Sequence, residues 1–251
     1  EGMRFTQAFS PAPVCSTSRS AFITGVSQTA TGCQHHRTPI KRPLPPGVTP
    51  LPALLAEAGI PSFNGSFNLK KRGKSDYNFQ WTGAPLYKGP NWEGTEEPFF
   101  AQVQIFEPHR GFKKNALPAR ELALELPPWL PEDPLARADE AGYLSSIEVL
   151  DRKVGNILDR LEAAGLTETT LVIFIGDHGR PQVRGKQWLY DAGIHVPMIV
   201  RWPGMVEPGT VNTSMTSLID LAPTTLAAFN LEIPLAMQGR VVVGPRTGVD
   251  P

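Results

Sequence analysis

Between Asp139 and Ala164, apolar residues recur at three- and four-residue steps: Leu144, Ile147, Leu150, Val154, Leu158 and Leu161. That spacing places them on one face and predicts an amphipathic helix, stopped by Gly165. The run that follows, Leu171 to Ile175, is continuously apolar and of strand length. Such a run suits a strand buried on both faces of a parallel sheet. Pro98 to Phe106 and Val196 to Trp202 carry the β-branched and aromatic content of two more strands. Leu51 to Ala58 reads as a short helix with Gly59 as its stop, and Leu218 to Leu231 as a later helix with Pro223 near its first turn. Ser16, Thr17 and Ser18 can each cap a helix that runs through Ile23 to Gly25. Residues 1–14 read as a short extended piece and a loop, and residues 60–97 as long loops with short strands.

Helix, turn and buried strand make half of a βαβ unit, so the order predicts an α/β fold. No repeat and no composition shift divides residues 1–251, which read as a single unit. Composition narrows the class. Prolines number 26 of 251 residues, about 10% and roughly twice ordinary usage. Six of them fall in residues 38–52, which must then be irregular, and residues 111–137 are also proline-rich and poorly patterned. Hydrophobic residues at 41% against 19% charged exclude a disordered chain. Lys+Arg and Asp+Glu are both 24, which removes the bulk electrostatic case for a nucleic-acid partner. No apolar run reaches the roughly 18 residues of a membrane span, and the opening residues lack the apolar core of a leader. Two cysteines, Cys15 and Cys33, exclude a disulfide scaffold; they could pair with each other.

Candidate chemistry gathers where strands end. Leu171 to Ile175 runs straight into Gly176-Asp177-His178-Gly179. Asp offers hard oxygens and His a nitrogen, at the strand end where open α/β sheets place their sites. A turn Asp with a surface His is the plainer alternative. Lys186 follows nine residues after Asp177 and could hold an anion or a leaving oxyanion, or be a solvated loop lysine. His109 follows the strand that ends at Phe106. Cys15 lies four residues before Arg19; at a helix start, both the helix end and Arg19 would favour a thiolate or another anion there.

Taken together, these pieces resemble the sulfatase family. Cys15-Ser16-Thr17-Ser18-Arg19 with Thr24-Gly25 resembles its signature Cys-x-Pro-Ser-Arg followed by Thr-Gly. Gly176 to Gly179, Lys186, Tyr190-Asp191 and Val196-Pro197 resemble its second signature block. Thr49 to Gly59, Gly73-Lys74 through Phe79, Pro108-His109 and Asp220 to Thr224 resemble further segments in the same order, out to about residue 240. The character is nearest to bacterial sulfatases similar to heparan N-sulfatase.

The resemblance implies an alkaline phosphatase-like α/β sandwich, with a mostly parallel central sheet flanked by helices. Relative to the family, the first strand with its paired Asp ligands and the C-terminal subdomain are expected to be missing. It implies that Cys15, oxidised to formylglycine by a maturation enzyme, attacks sulfur. Arg19 would stabilise that group, Lys74 and Lys186 would hold sulfate oxygens, and His109 would contact substrate or assist the leaving group. Asp177 and His178, with residue 15, would sit at a calcium ion. The substrate would be a small anion, a sulfated sugar, and the compartment periplasmic or secreted. Thr17 stands where the signature has Pro, Asp76 where many relatives have His, and residues 65–72 look like an insertion. A phosphonate or phosphate ester hydrolase of the same superfamily and an inactive sulfatase-like remnant are the alternatives.

Overall fold

A computed structural model describes residues 2–96, 98–112 and 124–248. Part of the proline-rich stretch 111–137 therefore lies outside the described residues. The elements are β1 (Met3–Phe5), β2 (Ala8–Phe9), α1 (Cys15–Thr24), β3 (Arg42–Pro43), α2 (Leu51–Glu57), β4 (Ser62–Ser66), β5 (Phe79–Gln80), β6 (Phe100–Gln104), α3 (Pro134–Ala163), β7 (Val172–Ile175), α4 (Asp191–Ile194), β8 (Met198–Arg201), β9 (Val211–Asn212), β10 (Thr216–Ser217) and α5 (Leu221–Ala228), the last entered through a single 3-10 turn.

The α/β expectation holds. Four of the six strand pairings are parallel: β1 with β9, β2 with β10, β3 with β5, and β4 with β6. The two antiparallel pairings both use β8, against β1 and β7. The largest sheet has the order β7-β8-β1-β9. Its inner strands bury Phe5, Met198 and Val200 against α1, α2 and α5, with Ile23, Leu55, Leu218 and Leu226 at the centre. Each such side chain contributes about 1.5–3 kcal/mol by leaving water. A second cluster of Phe63, Leu69, Trp92 and Leu161 joins β4 to α3.

Three local expectations change. The first helix is not capped by a serine or threonine side chain. Val14 is its N-cap, and Cys15 is already its first helical residue. The hydroxyls are used elsewhere: Ser20 donates to the Ser16 carbonyl at 2.6 Å, and Ser16 Oγ meets His36 Nδ1 at 2.9 Å. The long helix starts five residues before the expected Asp139, because Asp133 caps it and Pro134 suits its first turn. The apolar run at 172–175 is half-buried, not buried on both faces. Its strand partner is β8 alone among the described residues, just as β6 has only β4. Cys15 and Cys33 are buried free thiols, not a pair.

Candidate active site

Helix α1 aims its first turn into the site. Cys15 is 2% exposed and sits where the first unpaired N–H groups and the positive helix end favour an anion. Its Sγ lies 3.2 Å from His178 Nε2 and 3.3 Å from Lys186 Nζ. Lys186 Nζ also lies 3.4 Å from His109 Nε2. Residues 15, 109, 178 and 186 therefore form one connected group, built from α1, the turn after β6, the end of β7 and the loop before α4.

The backbone explains how that loop places its lysine. Gly179 packs against the Ala192 carbonyl and Gly185 against the Arg180 carbonyl, so closely that a Cβ on either would lie 2.0 Å from the oxygen. Arg184 and Gln187, on either side of Lys186, hold left-handed φ of 60° and 78°. Non-glycine residues in that region are uncommon and gather at functional sites. Gln187 N–H donates to the Pro13 carbonyl at 2.8 Å, tying the loop to the chain just before Cys15.

Electrostatics favour charge on the sulfur. Burial alone would push the Cys15 thiol up, and Asp177 adds to that. The His178 hydrogen bond and the charges of His178 and Lys186 outweigh both, so its pKa falls below 9.0. Burial would lower His178, but the bond to Cys15 and the charge of Asp177 raise it above 6.5. His178 Nδ1–H donates to the Gly179 carbonyl at 2.7 Å, which leaves Nε2 for residue 15. Burial lowers His109, and Lys186 lowers it further. A neutral His109 donates Nδ1–H to the Arg110 carbonyl at 3.1 Å and presents bare Nε2 to the lysine.

Arg19 lies one turn along α1 and is 6% exposed. Its Nη2 donates to the Lys74 carbonyl at 2.8 Å, and its guanidinium faces Asp76 at 3.4 Å and Asp177 at 3.8 Å. Lys74 meets this group through its backbone carbonyl, which Asn64 and Gln104 also bond; its ammonium is exposed nearby, with no hydrogen bond to the sulfur. Two partners were not legible in the sequence. Asp76 joins Arg19 to Arg37, whose guanidinium donates to it at 3.0 Å. His36 meets Ser16 beside Cys15. The adjacent pair His35-His36, two of only five histidines, was the available signal. A cavity of about 360 Å³ opens beside this segment, bordered by Thr17, His36 and Gln187.

The calcium implied by the resemblance can be tested on the donors. Ligand atoms of Cys15, Asp177 and His178 all lie within 4.8 Å of one another. Calcium takes roughly six to eight oxygens. One carboxylate, one sulfur and one imidazole do not fit that demand, and the Lys186 ammonium touches the sulfur. Among the described residues the donors do not make a calcium site, so no step below runs through a metal ion.

A buried cysteine at a helix start, with a histidine and a lysine on its sulfur and a second histidine behind the lysine, sits on an α/β scaffold. Residues 1–231 match the family profile named Sulfatase, and the chain belongs to the sulfatase family. It is 28% identical over 298 aligned positions to an ulvan-active sulfatase of Formosa agariphila, covering 97% of this chain and 49% of that protein. It is 29% identical to the N-sulphoglucosamine sulphohydrolase of Homo sapiens, covering 92% of this chain and 54% of that one. The fold also matches the phosphonate monoester hydrolase of Silicibacter pomeroyi, at 20% identity and a TM-score of 0.70, covering all of this chain and 71% of the other. The chain spans about half the length of the curated relatives it matches.

Proposed function

We propose that the chain carries the catalytic centre of a sulfuric ester hydrolase acting on a sulfated sugar, as an ester or a sulfamate. The observation that carries this reading is the convergence of Lys186 and His178 on residue 15, with His109 behind the lysine. In this reading a maturation enzyme oxidises Cys15 to formylglycine, whose hydrate supplies an oxygen nucleophile and can later release sulfate, as a plain serine or cysteine cannot. His178 Nε2 holds the proton at residue 15, since its own Nδ1–H is committed to Gly179. Lys186 stabilises charge on the transferred oxygens, where a fixed ammonium in a partly buried site counts for most. The first turn of α1 adds partial positive charge. Arg19 positions the helix start through Asp76, Asp177 and the Lys74 carbonyl. The exposed Lys74 ammonium meets an outer sulfate oxygen, and His109 contacts the substrate or assists the leaving group.

Calcium belongs to this reading through the family alone, and Asp177 is the described oxygen donor for it. Metal analysis of the full-length protein checks it; a preparation that turns over with no calcium present removes the ion from the reading.

Turnover of 4-nitrophenyl sulfate against an aryl phosphonate monoester, alongside mass analysis of the peptide containing Cys15, tests the whole. Sulfate turnover with a residue 15 lighter than cysteine is the expected result. Preference for the phosphonate assigns the centre to phosphorus. Unmodified cysteine from the native host with neither activity assigns an inactive remnant.

A further inference from the structure

Two arginines run from the candidate active site to the same turn of α3. Arg180 lies in the loop that carries Lys186, and Arg110 in the turn that carries His109. Arg180 donates to the Glu140 carboxylate, lies over the Tyr143 ring at 4.6 Å, and donates from Nε to Gln182 Oε1 at 3.1 Å. Arg110 makes a two-pronged contact with Asp139, at 2.7 and 3.0 Å, and its Nε–H reaches the Pro181 carbonyl at 3.5 Å. Among the described residues, no hydrogen bond or ion pair joins either guanidinium to Cys15, His109, His178 or Lys186.

The other end of each arginine holds a site residue. The Arg180 carbonyl accepts from Lys186 N–H at 2.7 Å. The Arg110 carbonyl accepts from His109 Nδ1–H at 3.1 Å. Each arginine therefore links α3, through its guanidinium, to a site residue, through its carbonyl. The two site residues meet in turn, Lys186 Nζ lying 3.4 Å from His109 Nε2 although they are 77 positions apart. Farther along α3, Lys153 donates to Glu107 at 2.6 Å and ties down the other side of the His109 turn.

The chemistry of these links suits positioning. Asp139 and Glu140 are neighbours on a helix, so their side chains leave it about 100° apart and can grip two different loops from one turn. A guanidinium fork on a carboxylate fixes angle as well as distance. Glu140 is only 4% exposed, and a buried carboxylate is costly unless its partner stays in place. Both guanidiniums are already spent on α3, so what they pass to the site is placement.

We propose that Asp139 and Glu140 are positioning residues for the reaction: through Arg110 and Arg180 they set where His109 and Lys186 stand relative to residue 15. The inference deepens the proposed sulfatase reading and rests on it for the reaction, but not for the clamp itself. A displacement of about 1 Å at a reacting group can cost roughly a hundredfold in rate, so a link two residues removed from the chemistry governs turnover without touching substrate.

The test uses the full-length protein and two measurements: kcat and KM for 4-nitrophenyl sulfate, and amide hydrogen exchange of peptides from residues 106–110, 179–187 and 15–24. Arg180→Gln should lower kcat about tenfold to a hundredfold, with a smaller change in KM. Exchange should rise in 179–187 and stay unchanged in 15–24. Arg110→Gln, whose ion pair is more open to solvent, should fold readily, lower kcat less, and loosen 106–110. Glu140→Gln/Arg180→Gln should turn over no more slowly than Arg180→Gln alone, because the pair acts as one unit. Values of kcat within twofold of wild type in both arginine variants overturn the proposal. So does a rise in exchange that includes 15–24, since the links would then serve general stability. If the wild type fails to turn over aryl sulfate, exchange decides: loosening confined to the two loops leaves the clamp standing while the catalytic reading falls, and no loosening removes both.

Discussion

Helices α1 and α3 are opposite solutions to the same problem. All ten residues of α1 are buried, yet seven of them are Cys15, Ser16, Thr17, Ser18, Arg19, Ser20 and Thr24. It has no apolar stripe. Most of its polar groups, though not the Thr17 hydroxyl or Arg19 Nε, are satisfied by its own turns and by chain far away: Thr24 donates to the Ser20 carbonyl at 2.9 Å, and Ser20 Oγ accepts from Asn78 N–H at 2.8 Å. Helix α3 is 30 residues long, buries only a few of them, and holds to the protein by one face. The first is placed by tertiary contacts and carries the proposed chemistry; the second is placed by its periodicity and carries packing. Burial of polar groups costs little when each has a partner, and a great deal when one is left without. Damage to α1 should therefore touch stability and chemistry together, whereas damage to the apolar face of α3 should touch stability alone.

The sharpest break of this contrast is at Arg19. Arg19→Ala leaves Asp76 and Asp177 facing each other's neighbourhood without their shared cation, and should destabilise the fold by about 3 kcal/mol, read from urea unfolding. Aryl sulfate turnover should vanish with it. On α3, Leu161→Ala empties part of the cluster with Phe63, Leu69 and Trp92 and should cost about 2–4 kcal/mol. Turnover per folded molecule should not change; if it falls tenfold, the two helices are not separable as described.

Smaller effects sharpen the comparison. Asp133→Ala removes the side-chain cap on α3, a loss of about 1 kcal/mol by thermal unfolding, whereas Val14→Ala, at the uncapped start of α1, has no cap to lose. Burial pushes the Asp76 carboxyl up, but the Arg37 hydrogen bond and the charges of Arg19, Arg37 and Lys74 bring it below the ordinary 3.8. A depressed carboxylate contributes stability that is fully present above the unfolded value. The stability gap between wild type and Asp76→Asn should thus be full above pH 3.8 and close as the pH falls below it. The least effect is expected for Thr17→Pro. The Thr17 hydroxyl is buried with no hydrogen-bond partner, and proline is tolerated in a first helical turn. Stability should be equal or slightly higher, and mass analysis of residue 15 should show a larger converted fraction.

Much of the fold was legible because periodicity and punctuation are local. The stripe from Leu144 to Leu161 fixed a helix, and Gly25, Gly59 and Gly165 marked three ends, all with left-handed φ. Chemistry-bearing residues were legible by type and by place at strand ends: Cys15, Asp177, His178, Lys186 and His109 are brought together, 163 and 171 positions apart for the two contacts of the cysteine. Lys74 joins them by its carbonyl, which no side-chain argument could foresee.

The amino-acid sequence by itself determined the α/β class, the main helices and strands, and the candidate groups for chemistry, because propensity, spacing and side-chain chemistry belong to each residue and its near neighbours. Only the tertiary structure decided that a serine-rich helix would be fully buried and that Asp76 would balance Arg19 between Arg37 and Asp177. Those outcomes depend on which distant groups desolvate one another and which hydrogen bonds replace the lost water, and that energy is shared among segments that no local window contains.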